Sequence, residues 1–164
     1  MSEPDMPTAV PYGDAAVLVS YGEHIDPSTN RRVHALAEAI RALRAHDARF
    51  GSPVPAYASV LVPIDPLELA PDEAVTRLAA LAATIADPGE DPESPIVEIP
   101  VRYGGPDGPD LAEVAERATL RPADVVELHA GTIYRVYMLG FVPGFAYLGT
   151  VPAVIAAPRR TTPR

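Results

Sequence analysis

The run Ala15–Ser20, AAVLVS, is followed by Asp26-Pro27 and then by a periodic segment, and this succession is the clearest fold signal in the chain. The run is short and apolar, which favours a buried strand. Asp26 is suited to cap a helix N-terminus, and Pro27 is suited to its first position. Apolar residues then recur at helical spacing, namely Val33, Leu36, Ala37, Ile40 and Leu43. We therefore predict a strand followed by an amphipathic helix.

The segments that follow extend this alternation. Gly51–Pro55 is a weak strand candidate with two prolines, which cannot donate to a ladder, so it must lie at a sheet edge. Tyr57–Ile64 is a stronger strand candidate, and Pro71 with the acidic residues after it opens a second helix. Ile96–Val101, IVEIPV, alternates and is predicted to be a strand. The order strand, helix, strand, strand, helix, strand is that of the split βαβ, ferredoxin-like fold, within a protein of the α+β class.

An acidic, proline-rich stretch separates this pattern from the rest of the chain. Asp87–Pro95, DPGEDPESP, has no apolar residue and is the best linker candidate. We place a boundary near Pro92, which gives a first domain of residues 1–92 and a second of residues 93–164.

The second part has a different pattern. Asp110–Ala118 and Pro122–Ala130 are predicted to be short helices, and Gly131 suits the C′ position of the second one. Arg121 is a poor N-cap for that helix. Thr132–Phe141 is predicted to be a long strand rich in aromatic residues.

Composition excludes several classes of function. The 164 residues contain no cysteine, which removes thiolate chemistry, and all 13 basic residues are arginine, which removes a lysine-dependent P-loop. The net charge of −9 disfavours nucleic-acid binding. His34 and His46 are too far apart to chelate and no HExxH is present, so we predict no metal site. The N-terminus lacks a signal-peptide core and no apolar stretch could span a bilayer, so we expect a cytoplasmic protein without a membrane partner.

One glycine-rich segment with aromatic residues could form a binding site. Met138–Gly149 has the sequence MLGFVPGFAYLG. Glycines such as Gly144 let a backbone approach a ligand closely, and rings such as those of Phe141, Phe145 and Tyr147 can line a small pocket. The alternative is a tight bend whose rings fill the core.

Charged and titratable residues offer two further candidates. Arg159, Arg160 and Arg164 form the one basic cluster of the sequence, and guanidinium groups bind carboxylate and phosphate through paired donors. The alternative is a solvated tail. His129 lies four residues after Val125 on the same helical face, where a histidine is either a satisfied core residue or a proton-transfer group.

Together, several of these motifs resemble one bacterial family, whose members are called allophanate hydrolase subunit 1, the B subunit of 5-oxoprolinase, or the KipI-type inhibitor of a sporulation kinase. The string GF-x-PGF-x-YLG is the most specific of them. The motifs that carry the resemblance are Gly13-Asp14, Ile99–Leu111 (IPVRYGGPDGPDL), His129 with Tyr134 and Val136, Gly140–Gly149 (GFVPGFAYLG) and Pro158–Arg164 (PRRTTPR).

The resemblance implies a ferredoxin-like domain over residues 1–92 and the N-terminal part of a cyclophilin-like β-barrel over residues 93–164, since family members continue with strands that close the barrel. It implies a subunit of a hydrolase complex that uses ATP to open 5-oxoproline to glutamate and is not active alone. Its partners would be a cyclophilin-like subunit 2 and a lactam-binding third subunit. In this chain it implies a catalytic role for His129. It also implies ligand binding by the following residues: Phe141, Gly144, Phe145, Tyr147, Arg159, Arg160 and Arg164.

The same resemblance allows a second function. A KipI-like protein binds and inhibits a sensor histidine kinase, and such binding requires no catalytic residue. The sequence leaves this interaction role open beside the enzymatic one.

Overall fold

In the computed structural model, which describes residues 6–89 and 95–162, eight of the nine predicted elements recur, some with shorter bounds, together with two strands that the pattern did not indicate, Thr8–Pro11 and Ala146–Leu148. The elements in chain order are β1 (Thr8–Pro11), β2 (Ala16–Ser20), α1 (Pro27–Arg44), β3 (Val54–Pro55), β4 (Ser59–Pro63), α2 (Pro71–Ala83), α3 (Leu111–Ala118), α4 (Pro122–Ala130), β5 (Val136–Leu139), β6 (Ala146–Leu148) and a 3₁₀ turn at Ala153–Ile155. The class is a mixed α/β protein with antiparallel sheets and four α-helices in the described part. The boundary predicted near Pro92 lies outside the described residues.

Contacts divide the chain into two units. The first takes the described residues of Met1–Pro92 together with Tyr137–Tyr147, and the second takes those of Glu93–Val136 and Leu148–Arg164. No helix in the described ranges combines the length and hydrophobicity needed to cross a bilayer.

A four-stranded antiparallel sheet in the order β1-β2-β4-β3 organises the first unit. Val17 pairs with Val62 and Val19 with Val60, and all four side chains are completely buried. Alternation along each strand directs these valines to one face, which packs against the apolar sides of α1 and α2. Burying each valine contributes roughly 1.5–3 kcal/mol, so this face is the main source of stability for the first unit.

The helix starts follow the predicted local chemistry. The Asp26 carboxylate accepts a hydrogen bond from the backbone N–H of Thr29 at 2.8 Å, and Pro27 is the first residue of α1. Pro71 likewise begins α2, with Asp72 and Glu73 in its first turn. The proline-containing strand predicted at Gly51–Pro55 is shorter than expected, but β3 does lie at a sheet edge.

The prediction of a strand at Ile96–Val101 is wrong. Ile96–Val101 forms no ladder with any described residue, and its apolar side chains are exposed. The position beside β2 is taken instead by β1, which pairs with it from Thr8↔Ser20 to Pro11↔Val17. The ferredoxin-like element order is therefore not confirmed, because the strand that completes the described sheet precedes β2 in the chain.

The second unit has a small core formed by Ala115, Val125 and Ile155. The start of α4 is stabilised despite the poor cap, since Asp124 accepts a hydrogen bond from the backbone N–H of Arg121 at 3.1 Å. Gly131 ends the helix as expected but keeps a right-handed φ of −78°, so it is not the left-handed C′ residue that was predicted.

The long strand predicted over Thr132–Phe141 is also wrong in length. Only Val136–Leu139 is extended in a ladder, where it pairs with β6 in a two-stranded sheet. Phe141 has a φ of +67°, which takes the backbone out of the extended region and ends the strand. No closed barrel is present among residues 95–162.

Candidate functional site

The connection between β5 and β6 is a tight loop, residues 140–145, which carries Phe141 and Phe145 and which we call the aromatic loop. Gly140 N–H donates to the Phe145 carbonyl at 3.1 Å, and Phe145 N–H donates to the Val142 carbonyl at 3.0 Å. Gly144 has a φ of +80°, which a glycine adopts without strain. Phe141 has a φ of +67°, which is an outlier for a bulky residue and stores strain of roughly 1–3 kcal/mol.

Four rings form a continuous series of edge contacts, which we call the aromatic row: Tyr57, Tyr147, Phe145 and Phe141. The ring centroids of Tyr57 and Tyr147 are 6.3 Å apart, those of Tyr147 and Phe145 are 5.1 Å apart, and those of Phe145 and Phe141 are 5.8 Å apart. All three pairs have the T-shaped geometry that aromatic quadrupoles favour. The row runs from the turn between β3 and β4 to the tip of the loop.

Exposure decides between the two interpretations of this loop. Phe141 is 85% exposed and Phe145 is 45% exposed, so these rings do not fill a core and that alternative is wrong for them. Tyr147 is half-buried. Exposing an apolar ring to water is unfavourable, and so is a positive φ for a bulky residue. This combination is expected where an aromatic ring binds a ligand or a partner.

Side chains of α1 form hydrogen bonds with two segments next to the aromatic row, the turn between β3 and β4 and the strand β5. Asn30 is buried, and its Nδ2 donates to the carbonyl oxygens of Ala56 and Tyr57 at 3.1 Å each. His34 Nε2 lies 2.7 Å from the carbonyl oxygen of Tyr137. The Tyr137 ring in turn lies 5.3 Å from that of Tyr57.

Sequence reasoning missed Asn30, His34 and Tyr57 as members of the site. A signal was present for the first of these. Asn30 precedes Val33 and Ala37 at helical spacing, so it lies on the apolar stripe of α1, where a polar side chain must find partners. Tyr57 carries no such signal, because its partners lie about eighty residues later in the chain.

The arginine cluster is only partly available for a ligand. Arg160 forms ion pairs with Asp110 at 3.0 Å and with Glu113 at 3.6 Å. Arg159 is exposed and has no carboxylate partner among the described residues. Arg164 lies outside the described residues. The arginines belong to the second unit and the aromatic loop to the first.

His129 lies between two tyrosines of the second unit. Its Nδ1 is 2.7 Å from the hydroxyl of Tyr103, and its ring centroid is 5.3 Å from that of Tyr134. The side chain is half-buried, on the same helix as the buried Val125. The Tyr134 hydroxyl is buried and has no hydrogen-bond partner among the described residues. His129 therefore has a polar partner on one ring nitrogen, and its catalytic role stays a prediction.

Two shallow cavities occur in the second unit. One, of about 560 Å³, is lined by Asp124, Glu127, Leu128, Gly131 and Thr132, and its carboxylates disfavour an anionic ligand. The other, of about 270 Å³, lies between Arg117 on α3 and the segment 154–157. Within the described ranges, no group of three or more histidine or acidic side chains is arranged to hold a metal ion.

Comparison with known proteins identifies relatives over nearly the whole chain. A family model described as carboxyltransferase domain, subdomain C and D, matches residues 7–164. The B subunit of 5-oxoprolinase from Bacillus subtilis (strain 168) is 40% identical over 163 residues, which cover 93% of this chain and 66% of that protein. The B subunit of 5-oxoprolinase from Escherichia coli O157:H7 is 54% identical over 74 residues, which cover 45% of this chain and 34% of that protein.

A solved structure gives the same picture for the fold. The crystal structure of TTHA0988 superposes with a TM-score of 0.70 at 38% sequence identity, covering 91% of this chain and 28% of that one. The chain thus spans less than two thirds of the length of each of these three proteins.

Proposed function

The chain belongs to the carboxyltransferase subdomain C and D family, and from that premise we propose that it works as the B subunit of an ATP-dependent 5-oxoprolinase. The resemblance drawn from its motifs is confirmed at the level of the family. The observation that carries the proposal is the 40% identity over 163 residues to a protein named as the B subunit of 5-oxoprolinase.

The reaction requires activation of a stable lactam. ATP would supply this activation by transferring its terminal phosphoryl group to the lactam oxygen, which makes the ring carbon reactive toward water. Addition of one water molecule to that carbon would break the C–N bond, so that the nitrogen becomes the amino group of glutamate, and a second water molecule would release the phosphoryl group as phosphate. Overall, 5-oxoproline, ATP and two water molecules give glutamate, ADP and phosphate.

The aromatic loop supplies an apolar surface for this chemistry. Phe141 and Phe145 are exposed rings on a short hydrogen-bonded turn, and they can exclude water from one side of a small ring. Gly144 lets the backbone approach the ligand closely. Tyr147 supports Phe145 through the edge contact described above.

The basic residues contribute less than the sequence indicated. Arg160 is engaged by two carboxylates, so Arg159 is the described member of the cluster that is open to pair with a ligand carboxylate or phosphate. This limited supply of cations supports the proposal that ATP is bound jointly with other subunits. His129 would transfer protons through the ring nitrogen that Tyr103 does not contact.

We propose a cytoplasmic hetero-oligomer with a cyclophilin-like subunit 2 and a lactam-binding third subunit. The names of the relatives, which describe a subunit, support such an assembly. We also propose that the second unit is the N-terminal part of a cyclophilin-like barrel and that the sheet of the first unit is a variant of the ferredoxin-like layout. The strand order β1-β2-β4-β3 supports the latter, with β1 in the outer position.

Reconstitution tests the function directly. We expect the complex assembled from this chain and the other two subunits to release phosphate from ATP only when 5-oxoproline is present, and to form one glutamate per phosphate. The matched control omits this chain from the same mixture. If the folded complete complex shows no 5-oxoproline-dependent ATP turnover, the proposal is wrong.

A further inference from the structure

Helix α1 presents two polar side chains toward the site on one face. Asn30 and His34 are four residues apart, so they lie one above the other along the helix. Asn30 is 3% exposed, whereas His34 is exposed. Asn30 is a polar residue within the apolar stripe that packs α1 against the sheet, and His34 lies outside that stripe.

Both side chains donate hydrogen bonds to backbone carbonyls, Asn30 in the turn between β3 and β4 and His34 in β5. A carbonyl oxygen can only accept, so the His34 nitrogen at 2.7 Å from the Tyr137 oxygen must carry its proton. Asn30 uses its two amide hydrogens on the successive carbonyls of Ala56 and Tyr57. Rotation of either peptide unit that flanks Tyr57 would break one of these two bonds.

The ring of Tyr57 connects these backbone hydrogen bonds to the aromatic loop. Its ring centroid lies 5.3 Å from that of Tyr137 in β5 and 6.3 Å from that of Tyr147 in β6, so it contacts both strands that flank the loop. Tyr147 continues the row to Phe145 and Phe141. A continuous set of hydrogen bonds and ring contacts therefore connects Asn30 and His34 to the exposed rings of Phe145 and Phe141.

We propose that Asn30 and His34 are positioning residues that hold the aromatic loop in one orientation for its ligand. The anchoring itself rests on the contacts above, while the identity of the ligand rests on the proposed function. His34 acts on β5 directly through the Tyr137 carbonyl, and Asn30 acts through Tyr57.

The anchoring is tested by hydrogen–deuterium exchange of the Gly140 and Phe145 amides in the full chain. His34→Leu removes the donor at similar size and is expected to speed their exchange about fivefold, the effect of losing one ordinary hydrogen bond. His34→Gln keeps a donor at the same reach and is expected to stay within about twofold of the parent. His46→Leu, the same change at an exposed histidine just after α1, is the matched control and should have no effect.

A second measurement connects the anchor to the ligand. In the reconstituted complex, His34→Leu is expected to raise the KM for 5-oxoproline about fivefold with kcat within about twofold, and His34→Gln is expected to restore the parent KM. A merely structural role would lower the amount of active complex, and hence kcat, without this split. Unchanged KM with faster loop exchange would overturn the ligand part of the inference.

The outcomes separate the inference from the proposed function. If the parent complex is inactive, the proposed function fails, while the exchange experiment still decides the anchor. Unaltered exchange in folded His34→Leu, or equal acceleration in His34→Leu and His34→Gln, overturns the anchor. Should His34→Leu not fold, Tyr57→Leu takes its place, with faster exchange of the same amides expected and unchanged exchange counting against the inference.

Discussion

Asn30 offers the sharpest test of the packing of the first unit. It is buried at 3% exposure, and its Nδ2 meets two carbonyl oxygens at 3.1 Å. Asn30→Asp keeps the size and shape of the side chain but replaces the donating group by an accepting one. Two close donor–acceptor pairs thereby become two oxygen–oxygen contacts in a place that water does not reach freely.

The magnitude follows from these contacts. Losing two hydrogen bonds removes about 2 kcal/mol, and a buried carboxylate facing two unpaired carbonyls adds roughly 1–3 kcal/mol. The position lies near the N-terminus of α1, where the helix dipole stabilises the new negative charge by only about 0.5 kcal/mol. We therefore expect Asn30→Asp to lower the free energy of unfolding by about 3–4 kcal/mol at pH 7. Asn30→Ala, which buries no charge, should lower it by about 2 kcal/mol.

The dependence on pH distinguishes this cause from general loss of packing. Burial beside two acceptors raises the pKa of the new carboxyl in the folded state above its ordinary value of about 3.9. The extra penalty is therefore complete above that raised pKa and shrinks as the pH falls toward about 4, where the protonated acid can donate one hydrogen bond.

Urea unfolding followed by circular dichroism at pH 7.5, 6 and 5 measures these differences, provided that the slope with denaturant is unchanged. Arg41→Ala, on an exposed part of α1, is the control and should change the free energy of unfolding by less than about 0.5 kcal/mol. The reasoning is refuted if Asn30→Asp is no worse than Asn30→Ala at pH 7.5, or if its penalty does not decrease at pH 5.

Three further changes test other parts of the structure. Phe141→Gly relieves the strain at φ +67° and removes a ring that is 85% exposed, so stability should stay within about 0.5 kcal/mol or rise, while 5-oxoproline-dependent turnover falls roughly tenfold; unaltered turnover would contradict a ligand role for the ring. Tyr134→Phe removes a buried hydroxyl without a described partner, so thermal unfolding should shift upward by the equivalent of about 1 kcal/mol, and a downward shift would show that the hydroxyl is bonded. Hydrogen bonding to Arg31 lowers the pKa of Asp87 from 3.8 to about 2, so Asp87→Asn should lower stability by about 0.5–1 kcal/mol at neutral pH. That difference should be complete above about pH 4 and disappear as the pH falls through about 2, and a difference that persists at pH 2 would rule out the ion pair as its source.

The features that sequence alone predicted depend on neighbours within one helical turn or one strand. The start of α1 at Asp26-Pro27 and the full extent of α4 are of this kind, because capping, proline geometry and periodicity act over three or four residues. The specific string from Gly140 to Gly149 also carried the family, which the match over residues 7–164 confirms.

Tertiary structure decided what depends on distant partners. Thr8–Pro11 has a weak strand pattern but pairs along β2, whereas Ile96–Val101 has a strong one but finds no ladder among the described residues, because a strand exists only where another strand offers its backbone groups. The same reason applies to the site. Phe141 was recognisable as part of a motif, but its support by Tyr57 and Asn30 required the fold to bring together residues that local periodicity does not connect.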